Sequence, residues 1–247
     1  MTALATRSET TQWGPADAPQ LDRLYAGRAM EALHDVLHDP AFGKVALVSS
    51  FGADSAVLLH LAAQIRRDVP VLFVNTGWLF PETLSYAEDL SAHLRLTDVR
   101  WLRPDSAVID AKDPKHLRWS YDPDGCCDIR KVQPLDAGLA GFDLWISGRK
   151  RHQNRARADI ALFEAEGRRL KLNPLADWTG EMIAAYAAQH ALPPHPLVAE
   201  GYPSIGCSPC TSKVRPGEDP RAGRWRGWEK SECGIHTSLP DDEQPVF

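Results

Sequence analysis

Val45-Ala-Leu-Val-Ser-Ser-Phe-Gly-Ala-Asp-Ser55 is a short apolar run ending in hydroxyls and a glycine, directly ahead of a helical pattern over 56–66. An uninterrupted run of this length marks a strand buried on both faces, as parallel strands are. The polar residues behind it form the turn that feeds the helix. N–H groups left unpaired at a helix start, together with the helix dipole, attract phosphate, and a glycine lets the backbone come close to it. Ser49, Ser50, Gly52, Asp54 and Ser55 are therefore candidate phosphate contacts. Read as a plain turn, the same stretch would use Asp54 or Ser55 as a helix cap. No Gly-Lys-Ser/Thr follows, so this is not a Walker A loop.

The pattern repeats outward from this unit. Val71-Leu-Phe-Val-Asn75 is a second strand, broken by Thr76 and Gly77, with Pro81 opening a helix to about Leu94. Further strands are expected over 99–102, 144–147 and 170–172, a helix over 179–189, and an amphipathic helix over 21–37. Such alternation predicts an α/β fold with a mostly parallel, doubly wound sheet. Ligands bind such sheets beyond the carboxyl ends of the strands, where the turns after Ser49, Asn75 and Ser147 all fall. Residues 1–20 read as a flexible N-terminal arm and 21–193 as the α/β domain. Residues 194–247, rich in Pro, Gly, Arg and Trp, read as an irregular C-terminal tail draped over the sheet edge.

Composition narrows the function. The 247 residues are 43% hydrophobic and 25% charged, enough for one well-buried domain. A formal charge of −5 argues against bulk nucleic-acid binding. No apolar stretch approaches the roughly 20 residues of a membrane span. The polar start lacks the apolar core of a signal peptide, and the cysteine count is odd, so a cytoplasmic enzyme is expected.

The five cysteines divide into adjacent Cys126 and Cys127, a Cys207-Ser-Pro-Cys210 pair, and Cys233 by itself in Glu232-Cys-Gly-Ile-His236. Two pairs suggest four ligands for one inorganic centre. The second pair alone suits zinc, an iron–sulfur cluster or a redox dithiol. Adjacent side chains diverge and reach one zinc ion only awkwardly, whereas a cubane offers separate iron corners, which favours a cluster over zinc or over plainly buried cysteines. Lys131 returns to the helix face of Cys127 and would set a cation beside it. Cys233 lies in a polar segment among Arg221, Arg224, Arg226, Lys230 and His236, the setting that turns a thiol into a nucleophile. From Gly148 to Arg157 runs a stretch with five Arg and Lys residues and no acid. At the ligand edge of the sheet it suits a compact polyanion, since charge-assisted bonds contribute about 1.5–3 kcal/mol each.

These motifs together resemble the assimilatory adenylyl-sulfate (APS) reductases, within the family that also holds 3′-phosphoadenylyl-sulfate (PAPS) reductases. The resemblance runs from Val45 to His236 and is carried by Ser49-Ser-Phe-Gly, Asn75-Thr-Gly-x-x-x-Pro-Glu-Thr83, Cys126-Cys-x-Ile-Arg-Lys131, Ile205-Gly-Cys-x-Pro-Cys-Thr211, Gly223-Arg-Trp225 and Glu232-Cys-Gly-Ile-His236. It implies a sheet of the adenine-nucleotide α-hydrolase (PP-loop) type, although Phe51 replaces one glycine of the usual Ser-Gly-Gly-x-Asp-Ser loop and Asn75 stands where many members carry Asp. It implies a [4Fe-4S] cluster on Cys126, Cys127, Cys207 and Cys210. Cys233 would be the nucleophile, with Lys131 near cluster and substrate, and Arg221, Arg224 and His236 closing over the phosphosulfate. Val74, Thr76, Gly77, Gly148, Arg151 and Arg157 complete the implied substrate contacts. The reaction so implied is reduction of APS to sulfite and AMP through an S-sulfocysteine, with thioredoxin or glutaredoxin as partner and a homo-oligomer as the assembly. Rival readings are PAPS reduction, ATP-dependent RNA thiolation and a non-catalytic iron–sulfur sensor.

Overall fold

Six strands build one sheet in the computed structural model, which describes residues 12–236: β1 (Val45–Val48), β2 (Val71–Val74), β3 (Val99–Leu102), β4 (Leu144–Ile146), β5 (Phe163–Glu166) and β6 (Arg169–Leu172). Their order is β3-β2-β1-β4-β6-β5, with every pair parallel except β5 against β6. The chain runs outward from β1 to β3 and returns to place β4 on the other side of β1. The crevice of a doubly wound sheet therefore opens between the ends of β1 and β4.

Alternate residues divide between two cores, as the period of two in a strand requires. Val45, Leu47, Val71, Phe73, Leu144 and Ile146 face the larger core. It is closed by α2 (Ala29–His38), α3 (Ser55–Ile65), α4 (Pro81–Leu94) and α8 (Gly180–Gln189). Ala46, Leu72 and Trp145 face a thinner one, covered by Leu135 and Leu139 and by Ile235 from the tail. Six shorter helical segments complete the set used below: α1 (Ala18–Leu24), α5 (Ser106–Lys112), α6 (Pro123–Cys127), a π-turn (Asp128–Val132), α7 (Gln133–Gly138) and α9 (Pro196–Ala199).

Three expectations need correction. The single helix expected over 21–37 is two, α1 and α2, because Gly27 takes φ +72° and Arg28 is not helical. The flexible arm expected over 1–20 is not loose from residue 12 onward: Trp13 stacks on Phe42, and Ala18 and Leu21 are buried in α1. Residues 1–11 of that arm lie outside the described residues, as do 237–247 of the tail. Strand β5 was not expected; it forms a hairpin with β6 through Gly167, which takes φ +54°. No helix among the described residues is long and apolar enough to cross a membrane.

Candidate active site

The turn after β1 carries an unusual residue for its shape. Phe51 takes φ +47°, in the left-handed region, and is fully buried edge-on against Phe73 at 4.9 Å between ring centroids. Its N–H donates to Ser49 Oγ at 3.1 Å. Packing of the aromatic ring thus holds a backbone shape that a glycine would adopt freely. Asp54 precedes α3 without capping it. Its carboxylate instead meets the ammonium of Lys150 at 3.0 Å, and Lys150 is almost wholly buried. Burial pulls the Lys150 ammonium down, and Asp54 partly restores it.

The two cysteine pairs meet next to the turn after β2. Cys126, Cys127, Cys207 and Cys210 line one cavity together with Arg130, Lys131, Trp78, Trp119 and Trp225. Local structure explains the convergence. Asp122 caps α6 by accepting the Gly125 N–H at 2.8 Å, and the helix then widens into the π-turn, so both cysteines directly precede, and Lys131 sits on, an irregular turn of the kind found at functional sites. Cys207 is pinned from the other side by a bridge to Leu79, by Ser208 N–H on the Trp78 carbonyl at 2.7 Å, and by Thr76 Oγ1 at 3.2 Å from its sulfur.

Burial and mutual repulsion raise the thiols of Cys126, Cys127 and Cys210. Burial, then Cys127, pushes Cys126 up to about 12 against the pull of Arg130. Burial raises Cys127 to about 11, and it raises Cys210 as well. Among the described residues, no three His, Cys, Asp or Glu side chains form a ready set for a single metal ion. The donors present do fit a larger anionic, sulfur-rich group. Four thiols share the cavity, and the buried N–H groups of Trp78 Nε1 and Arg130 Nε at its wall have no partner. Arg130 is otherwise fixed, donating to Asp113 at 2.8 Å and lying over Trp78 at 5.4 Å.

The tail brings the fifth cysteine to the same place. Burial opposes the charge on Lys131, and negative charge on the neighbouring sulfurs of Cys207, Cys233 and Cys127 favours it. Cys233 is half-buried within this segment. Its neighbours are anchored: Arg221 donates to the Ser231 carbonyl at 2.9 Å, Glu232 takes Arg157, and Lys230 pairs with Asp124. Arg224 lies over Trp225 at 4.4 Å and donates to the Ile205 carbonyl at 3.2 Å.

Not every expected contact gathers here. The guanidinium of Arg151 is committed to Asp177 and to the Ile160 carbonyl. Arg226 pairs with Glu218 on the surface. His236, expected to close over the substrate, is half-buried and stacks on Trp145; desolvation and then Lys171 lower its pKa well below the ordinary value. Val74 ends β2 in the thinner core, Thr76 is wholly buried, and Gly77 turns at φ +79° with its N–H on Asn75 Oδ1. Residues 148–157 leave β4 as the expected basic stretch, yet Arg149 is spent on Glu164 at 2.9 Å. Sequence reading missed the buried Lys150, the Arg130–Asp113 pair and Glu232. For Glu232 a signal existed: it is an acid placed directly beside the lone cysteine in a cationic segment.

Comparison with known proteins follows the same residues. The profile of the phosphoadenosine phosphosulfate reductase domain matches residues 44–213. The adenosine 5′-phosphosulfate reductase of Mesorhizobium japonicum is 48% identical over 224 residues, covering 90% of this chain and 88% of its own length. A protein of Gloeobacter violaceus named phosphoadenosine 5′-phosphosulfate reductase is 40% identical over 201 residues, 78% of this chain and 82% of its own. In fold, the chain resembles the phosphoadenylyl-sulfate reductase of Candida auris, with a TM-score of 0.67 at 22% identity over 86% of this chain and 100% of that one.

Proposed function

The chain belongs to the phosphoadenosine phosphosulfate reductase domain family, and from that premise we propose that it reduces APS to sulfite and AMP with a dithiol protein, thioredoxin or glutaredoxin, as electron donor. It is an oxidoreductase acting on sulfur, as are its relatives named adenosine 5′-phosphosulfate reductase. The observation that carries the reading is the four-cysteine cavity with Lys131 in its wall, next to which Arg221 on the Ser231 carbonyl and Lys230 on Asp124 hold the segment of Cys233.

In the proposed reaction the Cys233 thiolate attacks the sulfonyl sulfur of APS. The sulfur–oxygen bond to the phosphate breaks, and AMP leaves with the electron pair. Cys233 is then an S-sulfocysteine. A thiolate of the partner attacks the Cys233 sulfur, sulfite leaves with the bonding pair, and the partner's second thiol resolves the mixed disulfide. The dithiol supplies two electrons and releases its protons to solvent.

AMP is a good leaving group, so the main obstacle is repulsion between a thiolate and an anionic sulfonate. Lys131, Arg221 and Arg224 answer it electrostatically, each ~1.4 kcal/mol of preferential transition-state stabilisation being worth a factor of ten in rate. The turn from Ser49 to Ser55 and the basic stretch at Gly148 would receive the nucleotide phosphate. Cys126, Cys127, Cys207 and Cys210 would hold a [4Fe-4S] cluster, which when bound supplies a fixed charge beside Lys131.

A second reading, use of PAPS, is favoured by the Gloeobacter violaceus relative's name. Sulfite release measured with each nucleotide and reduced thioredoxin tests both. The proposal expects sulfite and AMP from APS at the higher kcat/KM. Turnover of PAPS alone would replace it by the second reading, and ATP consumption without sulfite would overturn both.

A further inference from the structure

We propose that Glu232 is a positioning residue, whose carboxylate clamps the tail to Arg157 and Asn154 and thereby aims the adjacent Cys233 at the reacting sulfur. The proposal rests on the reading of Cys233 as nucleophile. An acid is a costly choice here, since the site is to receive an anion and the acid occupies the guanidinium of Arg157. The geometry explains the choice. Arg157 Nε lies 2.5 Å from Oε1 and Nη2 2.7 Å from Oε2, a two-pronged pairing that fixes direction as well as distance. Asn154 Nδ2 adds a third bond to Oε1 at 2.7 Å. Both charged side chains are largely buried, at 11% and 18% exposure.

The receiving end is itself rigid. Asn154 Oδ1 accepts the Arg157 N–H at 3.0 Å, so the residue that caps the turn also grips the carboxylate. Arg157 Nη1 is held by Gln153 Oε1. A clamp thus joins the loop after β4 to a tail residue 75 positions on, one residue from the thiol. On the far side of Cys233 the tail is held by apolar contact of Ile235 with the thinner core. Two anchors that flank one residue restrict where its side chain can go. Losing the first would leave the nucleotide site built but the sulfur free to wander.

The test uses the full-length holoenzyme and its Glu232→Gln and Glu232→Asp variants. Three quantities are read: AMP binding, single-turnover formation of the S-sulfonate on Cys233 with APS, and the rate at which iodoacetamide alkylates Cys233, located by peptide mapping. For Glu232→Gln the proposal expects AMP affinity within about twofold of the parent, sulfonation slowed by about tenfold or more, and alkylation faster by several-fold. Glu232→Asp, which keeps the charge, should recover part of the sulfonation rate. Parental sulfonation and alkylation in Glu232→Gln would overturn the proposal. So would tighter AMP binding with faster sulfonation, which would make Glu232 a resident competitor of the substrate. If the parent enzyme takes no sulfonate from APS, the proposed function fails, while the alkylation rates still report on the clamp.

Discussion

The imidazole of His236 lies flat on the indole of Trp145, with ring centroids 5.5 Å apart and planes 6° from parallel. Trp145 belongs to the thinner core, and Lys171 Nζ sits 4.6 Å from its ring centre. The end of the described tail is therefore docked as a missing piece of a hydrophobic layer. Residues that follow Cys233 do structural work that a helix performs on the other face of the sheet.

This relationship predicts a packing role for His236. Aromatic pairs of this kind contribute about 0.5–1.5 kcal/mol beyond the area they bury. His236→Ala should slow sulfite release by about two- to tenfold through a loosened tail, and His236→Phe should recover most of that loss. Steady-state rates of the two variants decide the matter: equal loss in both would return a chemical role to the imidazole.

Phe51 should matter for stability more than for binding. It is fully buried and packs on Phe73, which in turn meets Trp101 edge-on at 4.8 Å. Phe51→Ala is expected to cost about 3–5 kcal/mol in urea unfolding. Phe51→Gly should cost about 1 kcal/mol less, because glycine accepts the left-handed backbone without strain. A cost below 1 kcal/mol in both would show that the ring is not holding the turn.

The cysteine cavity has an analytical signature. Replacing Cys126 or Cys207 by Ser should abolish iron and acid-labile sulfide, while Cys233→Ser should keep both, together with AMP binding, and lose sulfite release. Full iron content in the Cys126 or Cys207 variants would remove those residues from the ligand set.

His195 gives the fold an acid-sensitive joint. Its ring accepts the Leu197 N–H at Nδ1 and meets Thr83 Oγ1 at 3.0 Å through Nε2, while burial holds its pKa down to about 4. Below the ordinary value of 6.5 the unfolded chain takes up a proton that the folded chain refuses. Stability should thus fall as pH drops from 6.5 toward 4, by about 3 kcal/mol from this site, with no contribution above 6.5. Urea midpoints across this range should show the slope, and His195→Gln should flatten it. A folded-state NMR titration of His195 near 6.5 would contradict the assignment.

Much of the sheet was legible because parallel strands buried on both faces read as short apolar runs, as at 45–48, 71–74 and 144–146. The hairpin strand β5 was not. Glu164 and Glu166 break its apolar run, and they are tolerated because they pair with Arg149 and Lys171. The break between α1 and α2 hung on one glycine inside an otherwise helical period, a weak signal on its own. In the site, cysteine spacing pointed to residues that the fold gathers in one cavity. The ion pairs were invisible, since Arg157 with Glu232 and Arg130 with Asp113 join distant segments through tertiary geometry. The basic stretch was readable as a whole, but which cations are spent internally, as Arg149 and Arg151 are, is decided by acids elsewhere in the chain.

Mass spectrometry of the intact enzyme, mixed with APS in the absence of any reductant, addresses the central claim most directly. A single sulfonate adduct should form, map to Cys233, and vanish with release of sulfite when reduced thioredoxin is added. An unmodified Cys233 in enzyme that nonetheless turns over APS, or an adduct on one of the other four cysteines, would contradict the account.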